Sequence, residues 1–103
     1  MPRLALDEEG NLVQALSPGT TQTQTYTGTA GVIGNAISAT EVVRIVATTD
    51  CFIVFGSSPT ATTSHMFVLA NQPEYFRVSD DGTDKVSAIR SSEDGSIYVT
   101  EML

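Results

Sequence analysis

The side chains equipped for chemistry are few: one histidine, one cysteine, and twelve carboxylates against five basic residues. His65 closes the polar run Thr62-Thr63-Ser64, with no cysteine or paired carboxylate at ligand spacing. Zinc needs three or four ligands, so one chain offers it no site, and only a ring of His65 residues about a symmetry axis would supply one. Serine is plentiful, but no Gly-x-Ser-x-Gly elbow presents it as a nucleophile. Asp80-Asp81-Gly82-Thr83-Asp84 offers hard oxygen ligands yet lacks the Asp-x-Asx-x-Asx-Gly order and the bidentate glutamate of a calcium loop. It reads as a solvated turn. Cys51 precedes Phe52-Ile53-Val54, where a thiol serves as a small buried hydrophobe, and a lone cysteine excludes an intrachain disulfide. No glycine-rich phosphate loop is present, and no catalytic constellation or cofactor site is expected.

The formal net charge of −7 removes two further classes of partner. Nucleic-acid phosphates would be repelled, as would anionic membrane surfaces. No apolar run approaches the roughly 18 residues of a membrane span. Met1-Pro2-Arg3 followed by Leu4-Ala5-Leu6 and then acid does not resemble an export signal, which implies a protein made and kept in a reducing cytoplasm or exported by lysis. With 103 residues one domain is expected, with a modest core that oligomerisation would help.

The elements that must position any site are strands. Val42-Val43-Arg44-Ile45-Val46-Ala47 and Cys51-Phe52-Ile53-Val54-Phe55 are β-branched and aromatic, and the polar Thr48-Thr49-Asp50 between them predicts a hairpin. In the second run Cys51, Ile53 and Phe55 share one face while Phe52 and Val54 share the other. Apolar residues on both faces predict a strand covered on both sides, by a second sheet or a partner chain. Gly56-Ser57-Ser58-Pro59 stops this strand, and Met66–Leu69 and Tyr75–Val78 follow it. Asp81-Gly82 and Asp94-Gly95 lie between further alternating segments and predict two more hairpins.

Upstream, Thr21, Thr23, Thr25, Thr27 and Thr29 alternate with Gln22, Gln24, Tyr26 and Gly28. An extended chain puts the threonines on one face, and neither face is apolar, so burial in a core is not expected to hold this strand. It is instead a solvated strand or an edge open to a neighbouring subunit. Val32, Ile33 and Ile37 are the anchors expected of the small-residue stretch 30–40. Leu4-Ala5-Leu6 and Leu12–Leu16 flank the turn-forming Asp7–Asn11 and predict a short hairpin or arm. The fold class is therefore all-β: a small antiparallel β-sandwich or jelly roll (20–103) with an extended N-terminal arm (1–19). Leu4, Leu6, Thr21, Thr23, Thr25 and Tyr26 are the candidate subunit-interface residues.

The order Val43-Arg44-Ile45-Val46-Ala47-Thr48-Thr49-Asp50-Cys51-Phe52-Ile53-Val54-Phe55-Gly56 resembles the central signature of small virion proteins of tailed phages. Pro59-Thr60-Ala61, Glu74–Val78, Lys85–Ile89 and Gly95–Glu101 extend the likeness over roughly 41–101. What the resemblance implies is a head-decoration or cement protein: a compact, commonly trimeric β unit seated on the capsid surface of the virion, with the major capsid protein as its partner. A head–tail connector or a fibre base is the alternative within the virion. A carbohydrate-binding β-sandwich is the alternative outside it, although the chain has no tryptophan and only Tyr26, Tyr75 and Tyr98 to offer a sugar.

Overall fold

A computed structural model describes residues 3–6, 12–15, 18–37, 42–78 and 82–102, the first two segments by their backbone alone. All regular structure among them is β. The strands are β1 (Arg3–Leu6), β2 (Leu12–Ala15), β3 (Pro18–Tyr26), β4 (Gly31–Val32), β5 (Val42–Ala47), β6 (Cys51–Gly56), β7 (Met66–Val68), β8 (Glu74–Arg77), β9 (Lys85–Arg90) and β10 (Gly95–Met102). β1 and β2 pair with each other, Arg3 opposite Ala15 and Leu6 opposite Leu12. The turn expected at 7–11 lies outside the described residues.

The other eight strands form nested antiparallel pairs: β6 with β7, β5 with β8, β4 with β9, and β3 with β10. This is one long antiparallel ribbon. It is rolled up by two more pairings, β10 with β5 and β6 with β9. Two four-stranded sheets result, a first of order β3-β10-β5-β8 and a second of order β4-β9-β6-β7. That order is an eight-stranded jelly roll.

The hairpins expected at three polar turns are not formed. β5 and β6 belong to different sheets, as do β8 and β9, and β9 and β10. The stretch Thr48-Thr49-Asp50 is a corner that carries the chain across the core. Each strand keeps its alternation, so Val43, Ile45 and Ala47 meet Cys51 and Ile53 across the interior instead of side by side. Within the roll, only β6 and β7 are consecutive strands paired with each other.

The core between the sheets holds Ile45, Ile53, Ile97, Val43, Val68, Val86, Val99 and Cys51, all buried. Ile33 and Ile37 join it as anchors: their amides donate to the carbonyls of Val86 and Asp84 at 3.1 and 2.7 Å, tying this segment to β9. Phe55 and Phe76 close one side, their ring centres 5.5 Å apart.

Candidate functional site

The threonine strand is at the edge of the first sheet. Thr21, Thr23 and Thr25 are exposed on its outer face, opposite Thr100, Tyr98 and Ser96 of β10. The hydroxyls of Thr21 and Thr100 are 2.9 Å apart. Leu4 and Leu6 lie on β1, and the contacts expected of their side chains fall outside the described residues.

Tyr26 does not join that surface. Its side chain is 1% exposed, within the core. Its hydroxyl donates to the carbonyl of Thr49 at 2.7 Å and accepts the Thr49 amide at 3.3 Å. An amphipathic side chain of this kind buries its ring provided the oxygen finds partners, and the corner supplies them. The same residue corrects the expectation that burial could not hold β3. The Gln22 amide group adds a second fixing point, donating to the Asn35 carbonyl and accepting its N–H, both at 3.0 Å. Gln24 donates to the carbonyl of Thr25, against which Gly31 also packs so closely that a Cβ there would overlap it. One end of the edge strand is thereby closed.

The corner at Thr48–Asp50 packs on the turn before β10. The Thr49 hydroxyl donates to the Glu93 carbonyl at 3.0 Å, the Ser96 amide donates to the Thr48 hydroxyl at 2.9 Å, and a Cβ on Gly95 would overlap the Thr49 hydroxyl. A shallow cleft of about 180 Å³ lies here, lined by Thr48, Thr49, Asp50, Ala70, Ser92 and Glu93. Three of its lining residues hold the corners together, Thr48 and Thr49 through the bonds just given and Asp50 through Oδ1, which accepts the Ala70 amide at 2.8 Å. Burial pushes the Tyr26 hydroxyl above its ordinary value near 10 and the Cys51 thiol above its own near 9; hydrogen bonds at the corner oppose both shifts more weakly. Neither group is prepared for ionisation. His65 Nδ1 accepts the Thr62 amide at 2.9 Å and so pins its own loop. Among the described residues no three metal-ligating side chains come together.

Surface chemistry lies instead on the two outer sheet faces. In the second sheet Phe52 stands opposite Phe67 on one side and Ile89 on the other, and directly opposed antiparallel residues share a face. The Phe52 and Phe67 rings are 5.2 Å apart. Val54 and Leu69 share this outward side by alternation, Phe67 being 46% and Leu69 49% exposed. Ser87 also points outward, yet it is fully buried because its hydroxyl accepts the Ala61 amide at 2.9 Å and the chain around Pro59 and Ala61 lies over it. The covering stops there. Phe67 and Leu69 were not singled out in the sequence, although the two-sided apolarity of β6 was the signal that leads to them.

The outer face of the first sheet differs in kind. One row runs Thr21, Thr100, Arg44, Tyr75 across its four strands; the next runs Thr23, Tyr98, Val46. Tyr75 is 54% and Tyr98 43% exposed. Comparison of the chain with protein-family models, curated proteins and solved structures finds no match.

Proposed function

We propose that the chain is a non-catalytic structural subunit of a tailed-phage virion, which decorates and stabilises the capsid as a symmetric oligomer, a trimer, bound to the major capsid protein. The observation that carries this reading is the uncovered apolar face of the second sheet. Phe52, Val54, Phe67, Leu69 and Ile89 form one continuous patch, and exposed patches of this kind mark protein contacts. The outward positions of the described strands in this sheet carry Lys85 and no carboxylate. Copies of a chain with net charge −7 can therefore meet here without opposing their acids. A second copy is the occupant this favours. The jelly roll supports the reading as a fold that also builds capsid domains, an argument from analogy alone. The sequence resemblance supplies the phage context.

Burying the exposed half of Phe67, about 100 Å² of a side chain of roughly 200 Å², contributes about 2.5 kcal/mol per contact, or roughly 70-fold in association. Light scattering over a dilution series should give a trimer that persists on dilution, and the pair Phe67→Ser with Leu69→Ser should return a folded monomer. A parent chain that is monomeric at every concentration and fails to sediment with capsids would overturn the proposal.

A further inference from the structure

The first sheet's outer face is a second surface, with a chemistry the apolar face lacks. Alternation places Val42, Arg44 and Val46 of β5 outward, and with them Tyr75 and Arg77 of β8 and Ser96, Tyr98 and Thr100 of β10. Arg44 stands directly opposite Tyr75 and Thr100, and Tyr98 sits one row away on the strand beside it. These rows hold two of the chain's five basic residues and none of its twelve carboxylates. Glu74 and Glu101 are on the same strands, but they pair with Ile45 and Val43, whose side chains point into the core. Among the described residues, the outward positions of this sheet thus carry two arginines and many hydroxyls without a carboxylate, in a molecule of net charge −7.

We infer that this face binds a carboxylate-bearing glycan, with the rings of Tyr75 and Tyr98 stacking on sugar rings and Arg44 and Arg77 pairing with uronate or sialate groups. A pyranose presents an apolar C–H face to an aromatic ring while its rim of hydroxyls needs donors and acceptors, which Thr21, Thr23 and Thr100 provide. Arginine meets a carboxylate through charge-assisted and often bidentate hydrogen bonds. The two tyrosines are two strands and one row apart, about 12 Å between backbones at strand spacings of ~4.8 Å and rises of ~3.4 Å. Several linked pyranose rings span that distance. A protein partner fits less well, because an interface centre needs apolar or aromatic mass and the two central rows hold only Val46 besides the tyrosines. A nucleic acid fits less well again: its charge at every nucleotide would meet two arginines and otherwise an acidic molecule.

The test is titration calorimetry of the full chain with oligogalacturonate and sialyllactose, against neutral dextran oligosaccharide and oligothymidylate. The expected result is saturable binding to at least one carboxylated sugar, weakened by salt as an arginine–carboxylate contact requires. Tyr98→Ala, Tyr75→Ala and Arg44→Gln should each weaken it by about tenfold, the worth of one stacking or ion-pair contact. Thr60→Ala, exposed in the loop after β6, should leave it unchanged. Thermal melts confirm that each variant is folded, and Arg44→Gln keeps the test intact should either tyrosine variant fail to fold. The inference is overturned by no binding to either carboxylated sugar at millimolar concentration, by equal binding to dextran, by preferential binding to oligothymidylate, or by binding that Arg44→Gln and the folded tyrosine variants leave intact.

Discussion

Replacing Tyr26 with phenylalanine removes one oxygen and leaves the buried ring in place. That oxygen donates to the Thr49 carbonyl at 2.7 Å and accepts the Thr49 amide at 3.3 Å. A net hydrogen bond contributes about 1 kcal/mol, and a buried partner left unsatisfied costs about 1–3 kcal/mol. Thr49 is only half-buried, so water can reach its freed groups, which places the loss at about 1–2 kcal/mol. For a domain of this size that lowers Tm by roughly 4–15 °C. The measurement is thermal and urea unfolding of both chains at matched concentration, since assembly would shift both midpoints.

A second readout is independent of the first. The folded-state pKa of Tyr26 is raised by burial, so the folded chain holds this proton more tightly than the unfolded one. Its contribution is fully present below about pH 10 and is lost as pH climbs through the folded value. Cys51, raised in the same sense, begins its loss near pH 9. Stability should therefore fall on the alkaline side, and Tyr26→Phe should flatten that fall. A variant that melts within about 1 °C of the parent and keeps the whole alkaline decline would refute the account of the corner.

Three further outcomes follow from the same packing. Gly95→Ala drives a methyl into the Thr49 hydroxyl and should cost about 1–3 kcal/mol in urea unfolding. Ser87→Ala deprives the buried Ala61 amide of its acceptor; a loss of about 1–3 kcal/mol is expected, with faster hydrogen exchange at Ala61. Cys51, fully buried, should resist an aromatic disulfide reagent in the native state at pH 8 and react at the rate of global unfolding.

Strand positions were legible because β-branched alternation and burial coincide in this chain. Val42–Ala47 shows that agreement, with every second residue buried. The anchors Ile33 and Ile37 were legible for the same reason, as apolar residues in an otherwise small and polar stretch. Connectivity was not. Asp94-Gly95 has hairpin chemistry, but a corner between two packed sheets reverses the chain with the same residues, and only the contact of Gly95 with Thr48 and Thr49 distinguishes the two. Tyr26 was misplaced because alternation assigned it to a polar face with Gln22 and Gln24, while its hydroxyl partner lies 23 residues away. The outer faces were legible in part. Phe52 and Val54 declared a second apolar side, yet the row Arg44–Tyr75 and the pair Phe52–Phe67 need the register of strands distant in sequence.

The rolled ribbon also sets an order of events during synthesis. β10 lies between β3 and β5 in the first sheet, and Pro18 pairs with Met102 across almost the whole chain. Every strand of the roll leaves the ribosome before it. Until Gly95–Met102 emerges, β3 has no neighbour in its sheet and one flank of β5 stands open beside Val43, Ile45 and Ala47. Within the roll only β6 and β7 can close early, because theirs is its one pairing of adjacent strands and loop-closure entropy grows with separation. The nascent chain must therefore be shielded until β10 has been made, and a ribosome stalled before Gly95 releases a polypeptide whose first sheet is reduced to β5 and β8, with an adhesive apolar flank.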